Sequence, residues 1–435
     1  MAFKTGNRYQ AKLLPDKIED YVGKDDTVRV YDAFIDALDF EELGIDLDDK
    51  KVGNSAYHPR NMLKLLVYGY SYGWRSSRKL ERAARHNISF IWLMEDLKPD
   101  HKTISEFRRK HKKALKKVLK QSARLCIQLD LIDGNTLFVD GSKIRGNSSI
   151  NQTKTKKTLK KRLKHIDKKI EDILNECKTI DEQETGSLVK VPEELEDTKK
   201  MKSKIEEALL NMEKEDKKKI NLTDKDAVLI KSRQGTHAGY NAQSVVDEKN
   251  GLIVNTDVVS KSNDMGQFTK QIEKANKVLG KQCKTACADA GYSDSSDLKR
   301  AVKKGIEVIV PTQKQASHKS QKDKPFTKDK FKYNEEDDCY VCPAGKILTR
   351  QGRHGKKRQT SYKITNAKTC KNCIHYGKGK NKCTKAKYGR TIKRLHAEKT
   401  KEKLEELYLS ERGQAIYNKR KSKVELPFGH IKRNL

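Results

Sequence analysis

Three carboxylates, far apart in the chain and each in an apolar context, carry the chemistry that this sequence makes legible. Asp140 closes TLFVD and opens DGSKIRGN, Asp289 follows KTACA and opens DAGYSD, and Glu425 sits in KRKSKVELPFGHIK. Two acids at the ends of predicted strands, with a third on or beside a predicted helix, supply the donors of a two-metal phosphoryl-transfer site. Hard divalent cations such as Mg²⁺ or Mn²⁺ take oxygen ligands. Two of them, about 3.5–4 Å apart, clamp the attacking and leaving oxygens of a phosphodiester. Taken singly each acid is a weak signal. Asp140 and Asp289 also fit ordinary strand-end turns, and Glu425 also fits a surface carboxylate paired with Lys423 or Lys432.

The charge balance points to the kind of substrate. Lys and Arg total 95 against 60 Asp and Glu, a formal charge of +35. Such a surplus favours a polyanion, because neutralising phosphates releases counterions; a solvated Lys-rich surface is the plainer alternative. At 435 residues the chain exceeds one ordinary core, and two or three domains are expected. No apolar stretch approaches the roughly 20 residues of a membrane span. The opening MAFKTGNRYQAKLLP lacks the apolar core of a signal peptide. A cytoplasmic protein without a membrane partner is expected.

Five of the nine cysteines fall between Cys339 and Cys383. Two CxxC pairs, Cys339–Cys342 and Cys370–Cys373, resemble a zinc-ribbon layout in which thiolates hold a tetrahedral ion. Reduced thiols in a basic loop are the alternative. Cys126, Cys177, Cys283 and Cys287 read as packing residues.

The elements that must position these groups follow from periodicity. Residues 57–125 read as helical, interrupted at Gly69 and Gly73. Ser76 or Ser77 can cap one helix, and Thr103 with Glu106 makes a capping-box pattern before another. Arg75, Arg78, Arg82, Arg85, Arg108 and Arg109 suit a DNA-docking bundle; a helical dimerisation domain is the rival. Residues 136–140 make a first strand. Within 154–222, Leu159, Leu163, Ile166, Ile170 and Ile173, then Met201, Ile205, Ala208 and Met212, repeat at heptad spacing and predict an inserted antiparallel helical hairpin. Its outer surface fits a DNA-contacting or dimer-contacting arm as well as a solvated insertion. Residues 239–260 predict a strand hairpin around DEKNG. A helix near 265–280, a strand at 284–289, a helix at 294–304 and a strand at 306–311 follow. A Cys-rich insertion then fills 312–395, and a final helix spans 400–423. The order implies a mixed α+β fold.

Several segments resemble the DDE-type transposases of bacterial insertion sequences. HPRNMLKLLVYGYSYGWRSSRKLERAARHNISFIWLM is similar to their N-terminal helical domain. VDGSKIRGN, ADAGYSD and YNKRKSKVELPFGHIKRN resemble their three acidic motifs, and GYNAQSVVD and SNDMGQF the core segments between the first two. The resemblance implies a ribonuclease-H-like catalytic core over 131–435, behind an N-terminal helical DNA-binding domain over 1–130. It implies Asp140, Asp289 and Glu425 as the metal-binding triad, with Asp140 bridging two Mg²⁺ and the others holding one each. It matches Tyr417, Arg420 and Lys432 to an accompanying tyrosine, arginine and lysine. Packing is the plainer role for Tyr417. A related group leaves three residues between Arg and Glu; here four lie between Arg420 and Glu425, and Lys421 has the shorter spacing, so either basic residue fits the phosphate-gripping role. The relatives' cysteine motif favours Cys342, Cys370, Cys373 and Cys383 as zinc ligands, with His375 a weaker candidate.

The implied activity is cleavage at element ends and strand transfer, with the terminal inverted repeats and target DNA as duplex partners and a homodimer pairing two ends. A bacterial, nucleoid-associated location follows. Relatives usually continue further beyond the glutamate than IKRNL, so a truncated, catalytically inactive remnant that only binds DNA is the alternative. A metal-dependent nuclease without strand transfer is a third reading.

Overall fold

A computed structural model describes residues 17–47, 56–181, 193–232, 235–316, 325–351, 359–379 and 381–433. The chain divides into two compact units, 1–130 (with 433–435) and 131–432.

The first unit is helical: α1 (Thr27–Asp36), α2 (Phe40–Leu43), α3 (Pro59–Ser71), α4 (Ser77–His86), α5 (Ile88–Leu93), α6 (His101–Lys110) and α7 (Lys112–Gln128). Pro59 opens α3, where its missing N–H costs nothing. The helix then buries Met62, Leu63, Leu65 and Leu66. Lys64 is buried among them because Asp32 and Asp36 of α1 meet its ammonium at 2.5 and 2.9 Å. Gly69 does not interrupt α3. A Cβ there would stand 2.2 Å from a Leu80 methyl, so the glycine lets α4 pack close. Two expected caps are corrected. Ser76 precedes α4 without a side-chain hydrogen bond. Asp100, not Thr103, caps α6, accepting from the Thr103 N–H at 2.7 Å.

The second unit is built on a mixed sheet. Its strands are β1 (Thr136–Arg145), β4 (Val228–Ser232), β5 (Gly235–Asp247), β6 (Ile253–Val259), β7 (Thr285–Ala288) and β8 (Glu307–Ile309), after a separate pair, β2 (Thr153–Thr155) and β3 (Lys219–Asn221). β1 is central. It runs antiparallel to β5 on one side and parallel to β7 on the other, and β8 continues parallel beyond β7. β4 and β6 share the far edge of β5. β1 does not end at residue 140, as the apolar run suggested, but continues to Arg145.

Between β2 and β3 rise α8 (Lys156–Asp181) and α9 (Glu193–Lys214). Leu159, Ile166, Ile205, Ala208 and Met212 are buried between them, with Leu163 and Ile170 packed alongside. Met201 is exposed and lies outside that seam. Helices α10 (Phe268–Leu279) and α11 (Ser295–Lys303) connect β6 to β7 and β7 to β8. After the short α12 (Gln313–Ala316), the Cys-rich stretch holds a five-stranded antiparallel sheet that sequence reading missed. Its strands are β9 (Lys332–Asn334), β10 (Cys339–Val341), β11 (Ile347–Gln351), β12 (Gln359–Ile364) and β13 (Thr391–Leu395), with the short α13 (Ala367–Lys371) before β13. Phe331, Tyr340, Leu348, Tyr362 and Ile392 form its core.

The chain closes through α14 (Glu398–Leu409) and α15 (Glu411–Arg420), one turn of π-helix over Lys421–Glu425, and α16 (Leu426–Arg433). The single final helix expected is thus broken at Ser410, whose extended backbone ends α14 while its side chain caps α15. Among the described residues, no helix is long and apolar enough to cross a membrane.

Candidate active site

Alternation along a strand places residues two apart on one face. Phe138 and Cys287 pack with Val246, Ile309 and Val424 in one buried cluster. Asp140 and Asp289 follow Phe138 and Cys287 by two residues, so both acids leave the sheet on the side covered by α15 and the π-turn. Val424, fully buried in that cluster, anchors the turn that carries Glu425. Three remote segments are thereby brought to one end of the parallel strands.

Arg420 ties the acids together. Its Nη2 donates to Glu425 Oε1 at 3.0 Å, and its Nη1 lies 3.9 Å from Asp140 Oδ1. The residue is only 8% exposed, and its Nε is buried without a hydrogen-bond partner. Burial works against the guanidinium charge, yet Asp140, Tyr417, Asp289 and Glu425 outweigh it and raise its pKa. The four residues between Arg420 and Glu425 are reconciled by the π-turn. A π-turn bonds i to i+5 rather than i+4, so it absorbs one added residue and keeps Arg420 and Glu425 on the same side. Lys421 is exposed, and the Lys432 side chain lies outside the described residues. Tyr417 packs edge-on against Tyr408, 5.1 Å between centroids, with Arg420 over its ring.

The electrostatics show the convergence. Burial, then the negative charge of Asp289, push the Asp140 pKa up to about 6; Arg420 opposes them and Glu425 adds to them. Burial also raises Asp289, against Arg420 and the Gly291 N–H that its carboxylate accepts at 2.9 Å. Glu425 remains exposed.

A second polar layer lies behind the acids and was not found from sequence. Asp264, within the SNDMGQF segment, accepts from Lys143 Nζ at 2.9 and 3.0 Å, from Asn241 Nδ2 at 2.9 Å and from Gln243 Nε2 at 2.8 Å. Tyr292 donates its hydroxyl to Gln243 Oε1 at 2.5 Å. Asn241 and Gln243 are fully buried. Gly141 faces this layer: a Cβ there would stand 2.5 Å from the Gln243 amide nitrogen and 2.6 Å from Asp264 Oδ1. The available signal was polar residues at alternate positions of β5, Asn241 and Gln243, where an apolar face would be usual.

The expected DNA-contacting arginines differ in their freedom. Arg78 is exposed. Arg108 instead donates to the Arg75 carbonyl at 2.7 Å, bracing the start of α4. Cys342, Cys370, Cys373 and Cys383 line one cavity of about 30 Å³ together with His375, whereas Cys339 is not on its wall. The Lys346 N–H points at Cys342 Sγ, 3.3 Å away. Burial raises the Cys383 thiol pKa, as do the three neighbouring cysteines, against Arg390. Among the described residues, no group of three or more His, Cys, Asp or Glu stands in an arrangement that could hold a metal ion. The two places supply hard oxygens in one case and soft sulfurs in the other, but neither is arranged as a ligand sphere.

A family model described as a transposase domain (DUF772) matches residues 16–110, and one described as a transposase DDE domain matches residues 341–435. The second match spans Cys342, Cys370, Cys373, Cys383 and Glu425 but not Asp140 or Asp289. No curated protein and no solved structure matches the chain.

Proposed function

From this chain's place among the DDE-type insertion-sequence transposases, we propose that it cleaves DNA at the ends of its element and joins them to target DNA, using Asp140, Asp289 and Glu425 with divalent cations. The observation that carries this reading is the convergence of the three acids: burial and the charges of Asp289 and Glu425 push the Asp140 pKa up to about 6 even with Arg420 opposing them. A site that crowds carboxylates against their own repulsion is suited to a cation. The mixed sheet, with two of its acids leaving adjacent parallel strands, supports a ribonuclease-H-like core.

The chemistry that bound Mg²⁺ or Mn²⁺ supplies is polarisation of the attacking oxygen and stabilisation of the leaving one. The chain's own part is positioning. Asp140 and Asp289 are fixed by strands, whereas Glu425 is placed by a helix and held by Arg420. Arg420 sets a positive charge beside Asp140 and Glu425, and its fork has N–H groups to offer a phosphate oxygen. The layer of Asp264, Lys143, Asn241 and Gln243 fixes the backbone beneath Asp140. Duplex element ends are the substrate in this reading, gripped in part by Arg75 and Arg78, with a homodimer pairing two ends in the bacterial cytoplasm. The four cysteines are proposed to hold a structural zinc.

The test is Mg²⁺- or Mn²⁺-dependent cleavage of a labelled element-end duplex by the wild type and by Asp140→Ala. Cleavage at the repeat boundary that the substitution abolishes is expected. Binding without cleavage by the wild type would overturn the catalytic reading and leave an end-binding protein.

A further inference from the structure

The first half of α8 is strongly basic: residues 156–169 contain eight Lys and Arg against a single acid, Asp167. At about 100° per residue, Lys157, Lys161, Lys164 and Lys168 form one stripe. It lies roughly opposite the face that Leu159, Leu163, Ile166 and Ile170 turn to α9. All four lysines are exposed. Two acids beside the stripe are engaged across the hairpin, Asp167 with Lys202 at 2.7 Å and Glu213 with Lys156 at 2.6 Å. Like charges three and four residues apart weaken a helix; no acid stands between Lys157 and Lys168 within this row, and Glu171 and Asp172 follow only at its end.

We infer that this face of α8 is a docking surface for the sugar-phosphate backbone of duplex DNA, separate from the catalytic acids. Four lysines, the first and last eleven steps apart, span about 16 Å at 1.5 Å per residue. A duplex presents one phosphate charge per roughly 1.7 Å of axis, about ten over that length, so each of the four lysines has a phosphate to meet. The surface carries charge and little to stack on: residues 156–175 contain no Phe, Tyr or Trp, and His165 is their one ring. Single strands are held largely by stacking bases on aromatic rings, whereas cations without rings grip backbone and do not read sequence. The hairpin holds the stripe straight, since the buried seam fixes α8 against α9 over the same residues. This inference deepens the reading of DNA as the substrate and rests on it.

The experiment measures binding of the full chain to a 30-base-pair duplex of arbitrary sequence over a series of salt concentrations, without divalent cation. The wild type is compared with the quadruple variant K157Q/K161Q/K164Q/K168Q and with the corresponding quadruple Lys→Arg variant. Counterion release gives a slope of about −0.9 per phosphate in log affinity against log salt. The Gln variant is therefore expected to show a slope shallower by about 3.6, and the Arg variant an unchanged one. Between 50 and 200 mM salt the wild type then loses roughly 150-fold more affinity than the Gln variant. Gln and Lys have nearly equal helix propensity, and an unchanged circular dichroism spectrum confirms that the hairpin is intact. An unchanged slope in the Gln variant overturns the inference. So does a change confined to sedimentation behaviour, which would make α8 a contact between copies. Because no cleavage is read, failure of the catalytic proposal leaves this result interpretable.

Discussion

Neutralising Asp140 should stabilise the cation-free protein, and the size of the gain follows from its surroundings. Burial and the neighbouring acids move its pKa from the usual 3.8 to about 6. A tenfold change in an acid dissociation constant corresponds to about 1.36 kcal/mol, so ionised Asp140 strains the folded state by about 3 kcal/mol. Its side chain is only 15% exposed, so solvent screening removes little of this. The direction is fixed by linkage. Between pH 3.8 and 6 the folded state binds more protons than the unfolded one, and stability therefore falls as pH rises through that window. The strain is complete above about pH 6 and nearly gone by pH 4. Asp140→Asn should thus be more stable than wild type by about 3 kcal/mol at pH 8, by about half of that at pH 5 and by little at pH 4. At pH 8 the midpoint of thermal unfolding should rise on the order of 6 °C. The assay is unfolding in EDTA at the three pH values, repeated with Mg²⁺, which should raise the wild-type midpoint and leave the variant unmoved. A variant no more stable than wild type at pH 8, or a gain that does not shrink as pH is lowered, would refute the reasoning.

Three further outcomes are expected. Gly141→Ala drives a methyl into the Gln243 amide and Asp264; it should cost about 1–3 kcal/mol, as overpacking does, and a urea midpoint equal to wild type would contradict it. Deleting Ser422 from the π-turn should retain DNA cleavage within about threefold, since an ordinary α-turn with one residue fewer keeps Arg and Glu on the same side. In an uninterrupted α-helix the same deletion would rotate Glu425 by about 100° and abolish cleavage, so loss of activity in a folded deletion variant counts against the π-turn. Purified protein should contain about one zinc per chain, as a four-thiolate site binds, and Cys373→Ser should release it; a wild type without zinc, measured by a chromogenic chelator, would dismiss the site.

What was legible in the sequence depended on whether a local pattern decided the structure. The apolar runs before Asp140 and Asp289 marked strands because buried parallel strands need continuous apolar residues. The heptad spacing from Leu159 to Ile170 marked the packed face of α8. The end of β1 was misplaced because residues 141–145, Gly-Ser-Lys-Ile-Arg, break the apolar run, and the partners of Gly141 and Lys143, namely Gln243, Asn241 and Asp264, come from roughly a hundred residues away. The sheet of β9–β13 was hidden for a similar reason: its short strands are held by a small aromatic core, with Tyr333 and Tyr362 hydroxyls donating to Asp338, not by a period that a single strand displays. The spacing of Arg420 and Glu425 left two basic residues open for one role. Only the π-turn, which no residue type announces, puts Arg420 beside both acids.

That turn also gives the site an uneven stiffness. One of its acids, Asp140, stands within the central strand of a sheet, and Asp289 stands one residue past the end of the parallel neighbour, so the sheet sets the place of both. The third rides on a joint whose hydrogen bonds skip a residue, anchored through Val424 and tethered by one guanidinium. The entropy of assembling the site therefore falls almost wholly on one helix. In the proposed reading, affinity for a cation would depend on how firmly that helix is seated, and anything that steadies it would tighten the grip without touching a ligand.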